Sequence, residues 1–529
     1  QLQKKSTASI DVFIKGDVNR IKELLGSSRG IFKRSAGDIV IARLTFPQIA
    51  VLLASKGIDR IEAYPQRSVP MNDTMLINNN IVSIHKGTAP LSQTYDGSGV
   101  VIGIMDTGID FTHPDFIDSA GKSRVKFYWD QNQPAAGNTP VGYDYGQEWD
   151  QVQIDSGKAI PATDGHGTHV TGIAAGNGSA ESKYKGVAPK ADLVIVSIDF
   201  STTNATIVAD AVDYIYSKAE LLGKPCVINA SIGDYNGSHD GKDLQAQFIS
   251  NLINLKSGRA LVASAGNSGS NPIHLGYMVT SDTNFTFFNQ QNGFVSIEIW
   301  GDTASFKNIH FAVGADQLSP GYSFRGRTKF KTIASSLGIF TTDTLYSKNG
   351  KRLGIVETFG DLIGSSYAMS YLIIQDSTSY KWRLITTGSG KFDLWNMGMV
   401  SSGIPPSNVM HDSVYYKYPD LLQTIVSSYQ CLDNVITVGN YTNRKSYIDY
   451  NYKLYYAKET PGKRHSTSSC GPTRDGRLKP DISAPGDMIL SSLVQTLRPV
   501  LIALNPSALA PGGYYVRDGG TSSSGPGVT

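Results

Sequence analysis

Between about residues 81 and 270, short apolar runs alternate with longer helical patterns, and this alternation constrains the fold more than any other feature. The runs predicted as strands are Val100–Met105, Asp192–Ser197, Cys226–Ala230 and Ala260–Ala263. The predicted helices are His166–Ala175, Ala205–Leu222 and Leu244–Lys256. Strands that alternate with helices form a parallel sheet covered on both faces, with right-handed crossovers. We therefore expect an α/β, doubly wound core.

Length and composition exclude several classes of protein. The chain has 529 residues, enough for about three domains, and a net charge of only +3, which gives no electrostatic reason to expect a nucleic-acid partner. A charged fraction of 18% argues against disorder. No apolar run approaches the roughly 20 residues that cross a bilayer, so we expect no membrane span. The three cysteines lack zinc or redox spacing and imply no disulfide framework.

The N-terminal residues form a separate pattern. Residues 8–64 predict the element order β-α-β-β-α-β, a split βαβ or ferredoxin-like α+β unit. Asp17 is expected to cap a helix that ends at Gly26, and Pro47 opens a second helix. Residues 65–80 show little periodicity. We therefore predict a domain over 1–66 and a linker over 67–80.

A third pattern interrupts the α/β alternation. Residues 271–415 carry alternating aromatic and β-branched runs and predict an inserted all-β domain of sandwich or jelly-roll type. The α/β pattern resumes with the strand predicted at 434–439, so residues 81–270 and 416–529 form two parts of one domain. An insertion here could restrict substrates, bind a partner or stiffen the fold, and the sequence leaves these roles open.

Three distant side chains have the chemistry of a serine nucleophile. Asp106 ends an apolar strand, His166 lies between two glycines, and Ser522 begins a predicted helix. A serine hydroxyl needs an imidazole to take its proton, and a buried carboxylate fixes the imidazole tautomer. Asp, His, Ser is one of the known chain orders for this triad. Taken singly, each motif has another interpretation: a common Asp-Thr-Gly strand end, a metal pair of His166 with His169, or a flexible Gly-Ser linker.

The segments around these residues, 101–110, 164–170 and 520–526, resemble those of the subtilisin-like serine proteases (subtilases, peptidase family S8). The resemblance implies a subtilisin-like fold. It implies that the N-terminal unit is a propeptide, which assists the folding of the protease and inhibits it. It also implies that Asn267, in 261–269, forms the oxyanion hole with the Ser522 amide. By the same resemblance the edge Ser231, Ile232 and Gly233 pairs with substrate backbone. That edge and the segment Ser264, Ala265 and Gly266 would line the primary specificity pocket.

Further segments extend the resemblance, and others depart from it. Residues 468–486 match a subtilase signature that shapes the approach to the nucleophile, and residues 382–395 resemble the jelly-roll insertion of Csp-like clostridial subtilases. Ser523 and Gly527 stand where the family often has Met and His. Subtilases continue well past the nucleophile, whereas this chain stops at Thr529, so we expect it to be C-terminally incomplete.

The first functional hypothesis is a serine endopeptidase made as a zymogen and secreted, or held at the cell surface or in the periplasm. Its expected partners are protein or peptide substrates and its own propeptide in the cleft. No cofactor is expected to be required; subtilases often bind structural calcium, but no loop here predicts such a site. The alternatives are a catalytically silent subtilase fold that binds or regulates, and a metal-dependent hydrolase using His166 and His169.

Overall fold

The computed structural model describes residues 9–63, 69–70, 77–290, 293–319, 321–456 and 458–529. The N-terminal unit has its strands in the order β2-β3-β1-β4, and all neighbours are antiparallel. Its elements are β1 (Ser9–Gly16), α1 (Val18–Ser28), β2 (Ile31–Ala36), β3 (Ile39–Thr45), α2 (Phe46–Leu53) and β4 (Ile58–Glu62). Two short elements follow, β5 (Val69–Pro70), inside the predicted linker, and α3 (Ile81–His85).

The predicted end of α1 at Gly26 is wrong. The helix passes through Gly26, whose missing side chain faces open space, and continues to Ser28. It ends where Arg29 takes a left-handed conformation, with φ 60°, and Gly30 donates its N–H to the Leu25 carbonyl. One glycine costs a helix only about 1 kcal/mol relative to alanine, so it does not by itself end one.

Within the described residues the central sheet has eight strands in the order β25-β22-β12-β10-β6-β9-β7-β8. All neighbours are parallel except β7 and β8 at one edge. The elements before the insertion are β6 (Val101–Asp106), β7 (Val125–Asp130), β8 (Gln147–Asp150), α4 (Gln151–Asp155), α5 (Gly165–Ala175), β9 (Asp192–Ser197), α6 (Ile207–Leu221), β10 (Cys226–Ala230), β11 (Ile232–Gly233), α7 (Leu244–Asn254) and β12 (Arg259–Ser264).

Helices cover both faces of this sheet, which confirms the expected α/β architecture. Along β6, Val101 and Met105 belong to a hydrophobic cluster that includes residues of α6 and α7. The alternate residues Ile102 and Ile104 belong to the cluster on the other face, with residues of α5. Alternation along a strand therefore divides one apolar run between two layers of the core.

The β-rich region follows β12. Its elements are β13 (His274–Thr280), β14 (Asn284–Phe288), β15 (Phe294–Asp302), α8 (Thr303–Phe306), β16 (Ile309–Gln317), β17 (Ser323–Arg327), β18 (Thr341–Tyr346), β19 (Arg352–Ile363), β20 (Ser366–Gln375) and β21 (Tyr380–Trp395). The long strand β21 pairs with β14 and β16 through its first half and with β13 and β15 through its second half. This strand connects the two halves of a separate hydrophobic core.

The chain then returns to the central sheet. The last elements are β22 (Val435–Thr442), β23 (Ser446–Ile448), β24 (Leu454–Tyr456), β25 (Ile482–Asp487), β26 (Ile489–Ser492), α9 (Arg498–Leu504), β27 (Tyr515–Asp518) and α10 (Thr521–Val528). Helix α10 packs against α5 and against β12, β22 and β25. All three cysteines are described, and none forms a disulfide. In the described part of the chain, no helix is long and apolar enough to cross a bilayer.

A buried seam joins the β-rich region to the α/β part. The His239 ring stacks on Trp395 with centroids 4.0 Å apart and an interplanar angle of 12°. Nearby, Arg474 donates to the Ser238 carbonyl at 2.9 Å and to the Ser366 hydroxyl at 2.7 Å. His239 is 2% exposed, and burial lowers its pKa to about 3. The imidazole in this seam is therefore neutral near pH 7.

Replacing His239 should reduce the acid sensitivity of the fold. An unfolded histidine takes up a proton below about pH 6.5, whereas folded His239 resists protonation until about pH 3. The contribution of neutral His239 to the free energy of unfolding is thus fully present above about pH 6.5. It is lost as the pH falls, by up to about 1.4 kcal/mol per pH unit. In thermal unfolding between about pH 7 and about pH 4, His239→Gln should lose less stability than wild type. His411→Gln is the matched control, because the His411 side chain is 95% exposed; equal slopes for all three proteins would contradict this account.

Candidate active site

The carboxylate at the end of β6 holds an imidazole on α5. Asp106 is fully buried, and its Oδ1 bonds with Nδ1 of His166. The same oxygen accepts the Thr107 N–H at 2.7 Å, so the carboxylate is fixed by its own backbone. Ligands of open α/β sheets bind beyond the carboxyl ends of the strands, where Asp106 lies. The bond at Nδ1 leaves Nε2 as the ring atom that can exchange a proton with a nucleophile.

The N-terminus of α5 is bonded to the loop that follows β6. Asp164 accepts the His166 N–H and the Thr107 hydroxyl, each at 2.8 Å. The Thr107 oxygen in turn accepts the Gly167 N–H at 2.9 Å. A Cβ on Gly167 would lie 2.0 Å from the Gly108 carbonyl oxygen. The glycine after the histidine is therefore required for this close approach of helix and loop.

Ser522 is the second residue of α10 and is fully buried. Its hydroxyl donates to the Ser231 carbonyl at 3.3 Å, and the Ser231 hydroxyl donates to the Ser522 carbonyl at 2.7 Å. The helices that carry His166 and Ser522 pack against each other. The N–H groups in the first turn of α10 have no partners within the helix. The helix dipole favours a negative charge near them.

Asn267 lies beside the residue that precedes Ser522. Its side-chain oxygen accepts the Thr521 N–H at 2.8 Å and the Thr521 hydroxyl at 3.1 Å. The Thr521 hydroxyl also accepts the Gly266 N–H at 2.9 Å. Because the oxygen of the amide is engaged, its NH₂ group is the end that can donate to a ligand.

The two segments expected to line the specificity pocket are bridged at their base. Val426 donates its N–H to the Ala265 carbonyl at 3.0 Å, and the next residue, Ser427, donates to the Asp234 carbonyl at 2.6 Å. A Cβ on Gly233 or on Gly266 would lie 2.5 Å from a methyl group of Val426. The Val426 side chain therefore lies between the two segments.

Two residues of this site were not predicted as functional from the sequence. Val426 carries no motif and follows the β-rich region, so only the fold places it here. Asn229 precedes the predicted substrate edge and is fully buried. Its amide donates to the Ser231 hydroxyl at 2.9 Å, and its oxygen accepts the Thr529 hydroxyl at 3.1 Å. A polar residue at the end of a buried strand was the only sequence signal for Asn229.

His169 has a different environment from His166. Its Nε2 lies 3.2 Å from the Val516 carbonyl, and burial lowers its pKa to about 4. His166 is instead bonded to a carboxylate. Across the described ranges, no group of three or more His, Cys, Asp or Glu side chains is arranged to hold a metal ion. The structure therefore gives the two histidines separate partners.

The chain is similar in sequence to several known proteins. Residues 97–315 and 408–529 match the family model described as the subtilase family. The chain is 24% identical over 427 residues to the PI-type proteinase of Lactococcus lactis subsp. cremoris, an alignment that covers 75% of this chain and 21% of that protein. It is 31% identical over 189 residues to the PII-type proteinase of Lacticaseibacillus paracasei, covering 33% of this chain and 10% of that protein. The chain thus spans 21% of the first of these curated relatives and 10% of the second.

The solved structure of the Clostridium perfringens CspB protease is similar in fold. The match covers 85% of this chain and 84% of that chain, with a TM-score of 0.61 and 21% sequence identity. The two chains therefore share a fold over most of their lengths.

Adding one methyl group at Gly167 should disrupt the site, whereas adding one at Gly165 should not. The Cβ of Gly167→Ala would collide with the backbone of Gly108, which cannot move aside as a flexible side chain could. We expect a loss of about 1–3 kcal/mol in the free energy of unfolding. In Gly165→Ala the new Cβ would have its nearest neighbour, Leu497, at 3.6 Å. Urea unfolding of the two variants measures the difference, and equal stabilities would disprove the close-approach argument.

Proposed function

Because the chain belongs to the subtilase family of serine proteases, we propose that it is a serine endopeptidase that cuts peptide bonds through an acyl-enzyme on Ser522. The observation that carries this proposal is the buried Asp106–His166 pair, next to a helix that presents a serine hydroxyl. Every catalytic group in the proposed mechanism belongs to this chain, so the proposal includes no cofactor.

The proposed reaction follows from the roles of the side chains. His166 takes the Ser522 proton as the hydroxyl attacks the scissile carbonyl, then gives it to the leaving amine. Asp106 holds the tautomer and stabilises the imidazolium. The negative oxygen of the tetrahedral intermediate receives hydrogen bonds from the Asn267 amide and the Ser522 N–H. Water then hydrolyses the acyl-enzyme by the same steps in reverse.

The N-terminal unit is proposed to act as an inhibitory propeptide. One face of its sheet joins the hydrophobic core of the α/β part. There the rings of Phe13 and Phe248 pack edge to face, with their centroids 5.8 Å apart. Its Glu62 accepts the Leu244 N–H at 2.8 Å, at the N-terminus of α7. Beyond it, β5 pairs with β11, the strand proposed to bind substrates. The segment after the unit therefore lies where an extended substrate would compete for β11.

The β-rich region is proposed to be a jelly-roll-like brace. Besides the seam at His239 and Trp395, it contacts the N-terminal unit: Arg60 donates to the Leu362 carbonyl at 2.6 Å and lies 3.0 Å from the Asp361 carboxylate. These contacts bring three parts of the chain together. We also propose a secreted, cell-surface or periplasmic location, since an inhibited precursor protects the cell that makes the protease.

A fluorophosphonate probe should label the proposed nucleophile. With the N-terminal unit removed, wild type and Ser523→Ala should be labelled, and Ser522→Ala should not. Ser523 is the matched control because it is the adjacent residue on α10 and is also fully buried. In Asn267→Ala, turnover of a peptide substrate should fall by about 10²–10³-fold. Equal labelling of all the serine variants, or no labelling of any, would favour the catalytically silent alternative.

Shortening Val426 should change substrate preference. Val426→Ala removes the two methyl groups that lie between Gly233 and Gly266, and so deepens the proposed pocket. One or two methylenes in such a pocket are worth about 1–3 kcal/mol. We expect the ratio of kcat/KM for a Phe over an Ala peptide, varied at the residue before the cut bond, to rise at least about tenfold. An unchanged ratio would place Val426 outside the pocket.

A further inference from the structure

A cavity of about 440 Å³ lies in the β-rich region, away from the residues of the candidate active site. Cavities of about 300–1,000 Å³ with aromatic walls and a few polar groups are typical ligand sites. This one is lined by the rings of Phe285, Phe324, Phe330 and Tyr415 and by the guanidinium groups of Arg327 and Arg383. The cavity therefore has the size and the chemistry of a binding site.

The register of the sheet explains why the cavity forms here. Arg383 on β21 pairs with Gly314 on β16, and Gly314 pairs with Arg327 on β17. Paired residues point to the same face of a sheet, and neighbouring strands lie about 4.8 Å apart, so the two arginines flank the glycine with Cα atoms about 10 Å apart. A Cβ on Gly314 would lie 3.1 Å from the Arg383 side chain and 3.2 Å from the Phe324 ring. The glycine thus keeps the space between the two arginines open.

Arg383 is a buried cation whose charge the protein balances. Its side chain is 4% exposed and donates two hydrogen bonds to the carboxylate of Asp316, one of them at 2.7 Å. Its third contact, from Nη1 to Asp412, is longer, at 3.4 Å, and the Asp412 side chain is 48% exposed. Exposed ion pairs contribute little, so a ligand can take the place of Asp412. Asp412 shows that a carboxylate fits at this position.

Arg327 is the cation of this cavity that remains available to a ligand. It is exposed, its guanidinium lies 4.4 Å from the centroid of the Phe330 ring, and it donates to the Thr328 carbonyl at 2.9 Å. In the part of the chain that the structure describes, no carboxylate forms an ion pair with it. The segment 325–330 also holds Arg325 and Lys329 and no acidic residue. The side of the cavity at β17 is therefore basic.

We propose that this cavity binds an acidic segment of a polypeptide, with an aromatic side chain among the rings and a carboxylate on Arg327. Charge complementarity favours this ligand, because carboxylates form strong charge-assisted hydrogen bonds with guanidinium groups. Asp282 also lines the cavity, but it is exposed just before β14, where water and salt screen its charge. Polypeptides carry rings and carboxylates on neighbouring residues, and they are the expected substrates of a protease. This binding goes beyond the proposed function and uses none of its catalytic groups.

A short peptide tests the proposal on the full chain. The probe is acetyl-Glu-Phe-Glu-amide, and its dissociation constant is measured by saturation-transfer NMR with the Ser522→Ala chain, so that the peptide is not consumed. When Arg327→Gln is added to this chain, the dissociation constant should rise at least about tenfold, because a charge-assisted hydrogen bond is lost. Absence of saturable binding to the Ser522→Ala chain would overturn the proposal.

Arg325→Gln is the matched control, since Arg325 lies on the same strand and is not among the residues that line the cavity. Its loss should raise the dissociation constant less than about threefold, because solvent screens a charge that makes no direct contact. Equal effects of the two substitutions would indicate non-specific attraction and contradict the assigned site. An unchanged constant in Arg327→Gln would place the peptide elsewhere, such as the active-site cleft. That result would refute this site and leave the proposed protease function standing.

Two further peptides separate the contribution of the ring from that of the charge. Acetyl-Glu-Ala-Glu-amide lacks the ring, and acetyl-Lys-Phe-Lys-amide reverses the charge, so each should bind at least about tenfold more weakly than the first peptide. If the alanine peptide binds equally well, the cavity selects an anion only. If the lysine peptide binds equally well, it selects a ring only. Either result would overturn the proposal of an acidic, aromatic peptide ligand.

Discussion

The close approach of α5 to the end of β6 is the contact on which the rest of the site depends. Gly167 lies where any side chain would overlap the Gly108 carbonyl, and Thr107 bonds to both Asp164 and Gly167. Beside this contact Asp106 is fully buried, and its carboxylate bonds to the His166 ring. A buried carboxylate is costly unless it is hydrogen-bonded, so the pair and the helix position stabilise each other.

A strand edge near Ser522 links the proposed catalysis to its proposed control. Strand β11 has few residues and pairs with β5, so its backbone groups would otherwise be open to another extended chain. Such an edge would bind main chain largely without regard to sequence, and the proposed pocket between Gly233 and Gly266 would add discrimination. Substrates and the protein's own N-terminal segment would therefore compete for the same edge. The protein would be inhibited while its own segment occupies that edge.

The β-rich region is joined to the α/β part through buried polar and aromatic contacts, and the N-terminal unit through a shared hydrophobic core, rather than through the central sheet. His239 stacks on Trp395, and Arg474 spans the same seam. Buried charged groups such as Arg474 are costly to leave unpaired, so these contacts favour one arrangement of the parts over others. Val426 follows the β-rich region in the chain, so the segment that returns from that region contacts Gly233 and Gly266.

The sequence by itself determined the α/β architecture, because apolar runs and helical periodicity are local properties that are visible in a short window of neighbouring residues. The sequence also showed the glycines on either side of His166. The order of Asp106, His166 and Ser522 along the chain predicted the roles of these three residues. The sequence did not predict that Val426 lies beside Gly233 and Gly266, that Pro70 pairs with Ile232, or which groups bond to Asn229. The end that it predicted for α1 was also too early. Those pairings join residues that are distant in the chain, and they depend on backbone approach and packing, which only the tertiary structure decided.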